Sequence, residues 1–381
     1  MRLRPFLLFA ALIGAACSLL PCLSACDFVV PDRPRMEVVF VLDTTGSMSG
    51  MIAGAKQKIW AMANKLKSAQ PTPEIRFGLV GYRDRGDAYI TKVFGLTSNL
   101  DEVYTNLYAF QADGGGDEPE SVNEALYKAV HDLQWSFDPS VLRIIFLVGD
   151  ARPHMDYRDD VKYPETCRLA NQKGILINTL QCGRLDGTET VWREIAARTN
   201  GAYAAILQDG GSIKIETEYD REIIRLNLEL NATIILYGSK TEQANAARNR
   251  SVLASLSSEA VADRSSYFSK SESGTVIAGG GGDLVVEVMN GRQQIESVDV
   301  KQLDDKLQAM PAPARQEFIA QKVAERRTLQ SELNAVVAKR DDVVAEKLKA
   351  LGGKEGVLEL NAFQVLEQQA TDKGYKFQKK P

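Results

Sequence analysis

An almost wholly apolar run, residues 36–42, leads directly into residues 43–47, which have the sequence DTTGS. An apolar run without polar alternation is typical of a parallel β-strand that is buried on both faces. A helical pattern starts near Met51, so the DTTGS segment is expected to form a loop between a strand and a helix. In open α/β sheets, ligands bind where strand ends meet helix starts.

Strand and helix patterns alternate through the first half of the chain. Apolar runs at 76–82, 91–96, 144–149, 175–180 and 202–207 predict further strands, and amphipathic segments between them predict helices. Connecting helices of this kind cover both faces of one sheet. We therefore expect an α/β fold with a doubly wound, mostly parallel, Rossmann-like sheet.

The side chains of the DTTGS loop offer oxygen atoms only. Carboxylate and hydroxyl oxygens are suitable ligands for Mg²⁺ or Mn²⁺ and are poor ones for zinc. Asp43, Thr45 and Ser47 would supply them. Ser and Asp at a strand-to-helix turn also commonly cap the helix. Each residue alone is better explained by capping, and only their occurrence together favours a metal site.

Three sequence features occur in the order found in von Willebrand factor type A (VWA) domains. The spacing Asp-x-Thr-x-Ser at 43–47 resembles the first motif of the metal-ion-dependent adhesion site (MIDAS) of that family. The sequence GGGD at 114–117 lies where the family has Gly-Gly-x-Thr, and a later buried strand ends at Asp150. Residues 36–215 thus resemble a VWA domain with a MIDAS-like site.

The resemblance implies a set of site residues and a cofactor. Two further side chains, Asp84 and His154, are candidates to contact the ligands without binding the ion. For Asp84 an ordinary salt bridge is the alternative, and for His154 a solvated or capping ring. The implied ligands of Mg²⁺ or Mn²⁺, bound directly or through water, are Asp43, Thr45, Ser47, Asp117 and Asp150.

Asp117 departs from the family pattern, which commonly has threonine at this position. Together with Asp43 and Asp150 it would bring three negative charges to a divalent ion. A third carboxylate should tighten metal binding and weaken the attraction for an acidic partner. We therefore expect the last coordination position to be taken by water or by a neutral or weakly acidic partner oxygen.

Residues 1–25 have the pattern of a signal peptide, with a basic start and an apolar stretch that Pro21 ends. The sequence LSAC at 23–26 resembles the lipobox of bacterial lipoproteins. This resemblance implies that Cys26 carries lipid chains such as palmitate, and the alternative is ordinary cleavage with a free Cys26. Residues 26–35 would then tether the protein to a bacterial cell membrane, facing the periplasm or the exterior.

Residues 216–381 are expected to form a C-terminal accessory domain of helical or α+β type. Residues 312–350 have the pattern of one long helix or a helical hairpin, either packed on its own domain or binding a partner as a coiled coil. The apolar run 284–289 is predicted to be a strand.

Cys167 and Cys182 are placed by the pattern near a helix start and a strand end, which share one edge of an α/β sheet. An exported compartment permits a disulfide between them. Such a bridge would stabilise the fold by about 3 kcal/mol. The alternative is two buried free thiols.

The charge balance and the motifs narrow the function. With 46 basic and 50 acidic residues the chain is not expected to bind nucleic acid. Only two histidines occur, and no dinucleotide or phosphate-binding fingerprint is present, so catalysis is not expected. We expect a membrane-anchored, metal-binding module that contacts an unidentified protein partner. The alternative is a metal-dependent hydrolase of the cell envelope.

Overall fold

The structure is a computed structural model that describes residues 34–116, 118–207, 215–270, 282–351 and 358–377, without the side chains of 57, 58, 348, 351 and 358–363. The predicted signal peptide, the predicted lipidation site Cys26, most of the predicted tether and Asp117 lie outside these ranges. The chain from Pro34 onward forms one compact unit. Within the described ranges, no helix combines the length and apolar character needed to cross a membrane.

A six-stranded sheet forms the centre of the fold, in the order β4-β3-β1-β5-β6-β7. All neighbours are parallel except β4, which pairs antiparallel with β3 at the edge. This confirms the expected α/β class with a doubly wound, mostly parallel sheet. The strands are β1 (Arg35–Asp43), β2 (Ala69–Gln70), β3 (Glu74–Tyr82), β4 (Thr91–Thr97), β5 (Leu142–Gly149), β6 (Ile175–Cys182), β7 (Tyr203–Ile206) and β8 (Lys376–Phe377), of which β2 and β8 form a separate pair.

The central strands β1 and β5 are buried along almost their whole length. Alternate side chains of a strand point to opposite faces. In β1, Phe40 and Leu42 therefore pack in one hydrophobic cluster, and Val39 and Val41 pack in the other. Covering both faces explains why the sequence of this strand shows an apolar run without alternation.

Helices cover both faces of the sheet. One face carries α3, α4 and α5, and the other carries α1 and α2 together with much of the C-terminal half. The helices are α1 (Ser49–Lys67), α2 (Leu100–Tyr108), α3 (Val122–His131), α4 (Tyr163–Gln172), α5 (Thr188–Arg198), α6 (Asp220–Ala232), α7 (Lys240–Leu253), α8 (Ser258–Ser269), α9 (Leu284–Met289), α10 (Asp305–Gln308), α11 (Ala312–Leu351) and α12 (Leu358–Asp372).

The C-terminal half packs directly on the α1 face of the sheet domain. Helix α8 lies along α1, and α6 and α11 pack against α8. The guanidinium group of Arg264 in α8 forms two hydrogen bonds of 2.7 Å with the carboxylate of Asp101 in α2. The long helix predicted from the sequence is a single helix of 40 residues. The proposed division at residues 215 and 216 stays a prediction.

The prediction of a strand at 284–289 is wrong, because this run forms the helix α9. The side chain of Asp283 caps it by accepting a hydrogen bond of 3.1 Å from the backbone N–H of Val285. Leu284 and Val285 pack in a small cluster with Ile235. Periodicity cannot distinguish a strand from a buried helical turn in so short an apolar run.

The expected disulfide between Cys167 and Cys182 is also wrong, since both thiols are free and buried. Cys167, on α4, packs in the cluster on one face of the sheet, and Cys182, at the end of β6, packs in the cluster on the opposite face. The side-chain alternation of β6 turns Cys182 away from α4.

Candidate metal site

The carboxylate of Asp43 lies at the carboxyl end of β1 and is 1% exposed. Its Oδ1 accepts hydrogen bonds from the backbone N–H of Thr45 at 2.8 Å and from the Thr45 hydroxyl at 2.6 Å. Its Oδ2 is buried without a hydrogen bond of normal geometry, and the buried hydroxyl of Tyr82 lies near it. Burial, and the negative charge of Asp150 to a smaller extent, raises the pKa of Asp43 to about 7.

Two hydroxyls of the DTTGS loop lie side by side. The Oγ atoms of Thr45 and Ser47 are 3.3 Å apart. Thr45 is buried and Ser47 is exposed, so the pair leads from the Asp43 carboxylate to the surface. The sequence predicted both hydroxyls as ligands, and the structure places them next to the buried acid.

The glycine-rich loop at 114–116 packs against the DTTGS loop. The backbone N–H of Gly46 donates a hydrogen bond of 3.2 Å to the carbonyl of Gly114. The carboxylate of Asp87 accepts from the backbone N–H of Gly115 at 3.1 Å. Asp87 belongs to the Arg-Gly-Asp tripeptide at 85–87, which thus fixes the glycine-rich loop.

Gly115 occupies a position where any side chain would cause strain. Its φ of +75° lies in the left-handed region, and a Cβ atom there would be 2.9 Å from Cβ of Thr45. We expect Gly115→Ala to destabilise the protein by about 1–3 kcal/mol and to displace Thr45. Gly116→Ala is the matched control, because a Cβ at that position has no neighbour within 4 Å. Urea denaturation of both variants is the measurement, and equal stability of the two would contradict the prediction.

Asp150 follows β5, the parallel neighbour of β1. An added Cβ on Gly149, the last residue of β5, would be 3.1 Å from Oδ2 of Asp43 and 2.4 Å from the hydroxyl of Tyr82. The strand end before Asp150 thus lies against Oδ2 of Asp43. The electrostatic effect of Asp150 on the pKa of Asp43 indicates that the two carboxylates are close.

Glu120 is a buried acid that the sequence analysis did not include in the site. It is 4% exposed, and its Oε2 has no hydrogen-bond partner. Burial raises its pKa to about 9, and the charges of Asp43, Asp84 and Asp150 add to this effect. The only signal in the sequence is its position three residues after Asp117 in the run GGGDEPE.

The two candidate supporting residues, Asp84 and His154, lie next to each other. Asp84 accepts hydrogen bonds from the hydroxyls of Ser121 at 2.7 Å and Tyr157 at 2.8 Å. Nε2 of His154 faces Asp84 at 3.4 Å, and Nδ1 lies 2.8 Å from the carboxylate of Asp156. The imidazole ring stacks on Tyr157 with 4.0 Å between centroids. Their supporting role in metal binding stays a prediction.

Arg83, the residue before Asp84, joins two loops of the site. Its Nε donates to the carbonyl of Thr44 at 3.1 Å, and a second nitrogen donates to the carbonyl of Gln111 at 2.8 Å. Thr44 lies in the DTTGS loop, and Gln111 precedes the glycine-rich loop. This buried guanidinium thus fixes the separation of the two loops.

The arrangement fits a small divalent cation, although Asp117 lies outside the described residues. No group of three or more His, Cys, Asp or Glu side chains with metal-binding geometry occurs in the described part of the chain. The predicted site does not require one there, because two of its ligands are hydroxyls. A buried carboxylate oxygen beside them, without a hydrogen bond of normal geometry, is the arrangement that a hard cation satisfies. The role of each residue as a ligand stays a prediction.

Known proteins include sequences and structures that are similar to this chain. Residues 37–219 match the family model for the von Willebrand factor A domain. Two curated relatives, both named von Willebrand factor A domain-containing protein 7, come from Homo sapiens and Rattus norvegicus. Each is 34% identical over 120 residues, which cover 32% of this chain and only 12% of the relative.

Solved structures of proximal thread matrix protein 1 from the mussel byssus also match. One crystal form has 15% identity and a TM-score of 0.36, and covers 46% of this chain and 43% of that chain. A second structure, described as having a zinc-occupied MIDAS motif, has 16% identity and a TM-score of 0.36, and covers 45% of this chain and 42% of that chain.

The family match and the parallel sheet with its loops at the carboxyl edge lead to one assignment: residues 37–219 of this chain are a von Willebrand factor A domain.

Proposed function

We propose that this VWA domain binds Mg²⁺ or Mn²⁺ and uses the bound ion to contact a protein partner. The observation that carries the proposal is the buried Oδ2 of Asp43, without a hydrogen bond of normal geometry, beside the hydroxyls of Thr45 and Ser47. Asp43, Thr45, Ser47 and Asp150, with Asp117 as predicted from the sequence, would hold the ion. When bound, the ion supplies a coordination position for an oxygen atom of the partner.

The chain's own residues prepare the site. The Thr45 hydroxyl donates to Oδ1 of Asp43, which leaves Oδ2 for the cation. Arg83 and Asp87 fix the two loops at the rim. Ser47 is exposed and would bring the ion to the surface, where a partner can reach it.

We propose a role in binding, and not in catalysis. A nucleophilic Ser47 would require a base within hydrogen-bond reach. The candidate base is His154, and its imidazole contacts Asp84 and Asp156. Generic esterase and phosphatase substrates test the alternative of a metal-dependent hydrolase, for which Mg²⁺-dependent turnover would be the sign.

We further propose that a lipid on Cys26 holds the protein at a bacterial membrane. The LSAC sequence at 23–26 supports this part of the proposal. Mass spectrometry of the mature protein tests it, since an acylated N-terminal cysteine adds the mass of its fatty chains.

The apparent Mg²⁺ affinity should rise with pH below about pH 7. In the metal-free protein the pKa of Asp43 is about 7, against an ordinary value of 3.8. A ligand carboxylate must lose its proton to bind metal, so protons compete with Mg²⁺ by up to about tenfold per pH unit. Isothermal titration calorimetry at pH 5.5, 6.5 and 7.5 measures this. A pH-independent affinity across that range would count against Asp43 as a ligand.

The raised pKa of Asp43 also predicts how the stability of the metal-free protein changes with pH. The folded protein retains a proton on Asp43 that the unfolded chain loses near pH 4, so the free energy of unfolding falls as pH rises from about 4 to 7. Asp43→Asn should reduce this fall, because an amide does not titrate.

A pull-down with and without EDTA tests the partner. The partner should remain bound to the soluble chain in Mg²⁺ and should leave in EDTA. A partner retained equally in both buffers would contradict metal-mediated contact.

A further inference from the structure

We propose that Glu120 lies beside the metal site without binding the ion directly, and that its charge makes the site select neutral partner oxygens over carboxylates. This inference rests on the proposed metal binding and names the chemical class of the partner's ligand group. The class is a main-chain carbonyl, a side-chain amide or a hydroxyl.

The backbone of Glu120 is fixed to the loop that carries Asp150. Its N–H donates to the carbonyl of Arg152 at 3.0 Å, and its carbonyl accepts from the N–H of His154 at 3.0 Å. Glu120 also forms an isolated β-bridge with Pro153. Its position relative to the Asp150 loop is therefore set by main-chain contacts.

The side chain of Glu120 reaches the DTTGS loop. A Cβ atom added to Gly115 would be 3.2 Å from Oε1 of Glu120 and 2.9 Å from Cβ of Thr45. Glu120 and Thr45 thus lie on either side of the bare Gly115 backbone. The absence of a side chain at Gly115 lets the carboxylate approach the hydroxyl pair.

The surroundings of Glu120 suit a cation. Its Oε2 is buried without a hydrogen-bond partner, and Oδ2 of Asp43 is buried without a hydrogen bond of normal geometry. The guanidinium of Arg83 contacts the carbonyls of Thr44 and Gln111 and the carboxylate of Asp113. Arg152 is exposed, with its guanidinium facing the carbonyl of Asp186. A buried carboxylate without a partner is costly, and a bound metal ion would remove that cost.

The charge count determines the partner's chemistry. Once a bound ion has displaced the protons of Asp43 and Glu120, these two side chains and Asp150 bring three negative charges to a doubly charged ion before any contribution from Asp117. The loaded site would then have a net negative charge and would repel a partner carboxylate. A neutral oxygen carries no such penalty.

The test compares Glu120→Gln with Glu124→Gln, one turn further along at the start of α3. Glu124 is half-buried and pairs with Lys128, so its variant removes the same charge away from the loops. Calorimetry at pH 8 should show a loss of Mg²⁺ affinity of about 10- to 100-fold for Glu120→Gln, in the range seen when groups around a metal are removed. Glu124→Gln should stay within about twofold of the wild type.

A second readout tests the selectivity. Sodium acetate is added to the Mn²⁺-loaded proteins, and water-proton relaxation reports whether acetate displaces metal-bound water. Wild type and Glu124→Gln should respond at the same acetate concentration, and Glu120→Gln should respond at a lower one, because one negative charge fewer repels the acetate. A response of the wild type equal to that of Glu120→Gln would overturn the selectivity.

Unchanged Mg²⁺ affinity of Glu120→Gln would overturn the assignment of Glu120. If that variant does not fold, Glu120→Asp takes its place, because a carboxylate one methylene shorter should also lose affinity; full affinity would overturn the assignment. A wild type that binds no Mg²⁺ would instead overturn the proposed function.

Discussion

Replacing Asp43 with asparagine should lower the affinity for Mg²⁺ by about 100-fold or more, which corresponds to about 2.7 kcal/mol. The change removes the charge that faces the ion and keeps the shape of the side chain. Because burial disfavours the charged form of Asp43, the metal-free variant should be as stable as the wild type or more stable. Calorimetry gives the affinity, and thermal unfolding gives the stability.

The combination of lost binding and retained stability separates a ligand from a structural acid. Asp186→Asn is the control, since Asp186 is exposed on the loop after β6. That variant should bind Mg²⁺ like the wild type. If Asp43→Asn binds Mg²⁺ normally but unfolds more easily, Asp43 serves the fold and not a metal.

Replacing Arg264 with methionine should destabilise the protein by about 3–5 kcal/mol. The guanidinium group pairs with Asp101 through two 2.7 Å hydrogen bonds, and both side chains are buried. Removing the arginine leaves the Asp101 carboxylate buried without its counter-ion. The effect is expected to be large because the pair joins α8 of the C-terminal half to α2 of the VWA domain.

Two further variants control for this effect. Arg168→Met removes an exposed arginine that pairs with Glu165, and should change the unfolding free energy by less than about 1 kcal/mol. The double variant Arg264→Met with Asp101→Leu should recover much of the loss, because no charge remains buried. Urea denaturation measures all three. A double variant no more stable than Arg264→Met would contradict the role of the unpaired carboxylate.

The strands of the sheet were predictable because each central strand is buried on both faces. The expected strand at 36–42 matches β1, and the expected strand at 144–149 matches the end of β5. Each ends at an acid, Asp43 or Asp150, and parallel strands place their carboxyl ends at one edge. The convergence of the DTTGS loop and Asp150 follows from this rule.

Two expectations failed where the answer depends on packing. The run 284–289 is helical because Asp283 caps it and its apolar side chains pack against Ile235. The Cys167 and Cys182 thiols lie on opposite faces of the sheet, because the side-chain alternation of β6 turns Cys182 away from α4. A one-residue difference in register decides such a pairing, and the sequence pattern does not fix it.

The parts of the site missed by the sequence analysis depend on contacts distant in sequence. Glu120 is a buried acid only because the loops at 114–116 and 150–154 close around it. The hydrogen bonds of Arg83 to the carbonyls of Thr44 and Gln111 are likewise contacts between residues 28 and 39 positions apart. The same applies outside the site to Arg264 and Asp101, which are 163 positions apart in the sequence.

The central claim is that a divalent cation binds at the carboxyl edge of the sheet, at the DTTGS loop. The most direct measurement is anomalous diffraction near the manganese absorption edge from crystals grown in saturating Mn²⁺. The account predicts an anomalous peak within about 2.5 Å of Oγ of Ser47 and within about 5 Å of the carboxylates of Asp43 and Asp150, as expected for direct or water-mediated ligands. A fully occupied peak elsewhere, or no peak at this edge while the DTTGS loop keeps the conformation described above, would contradict it.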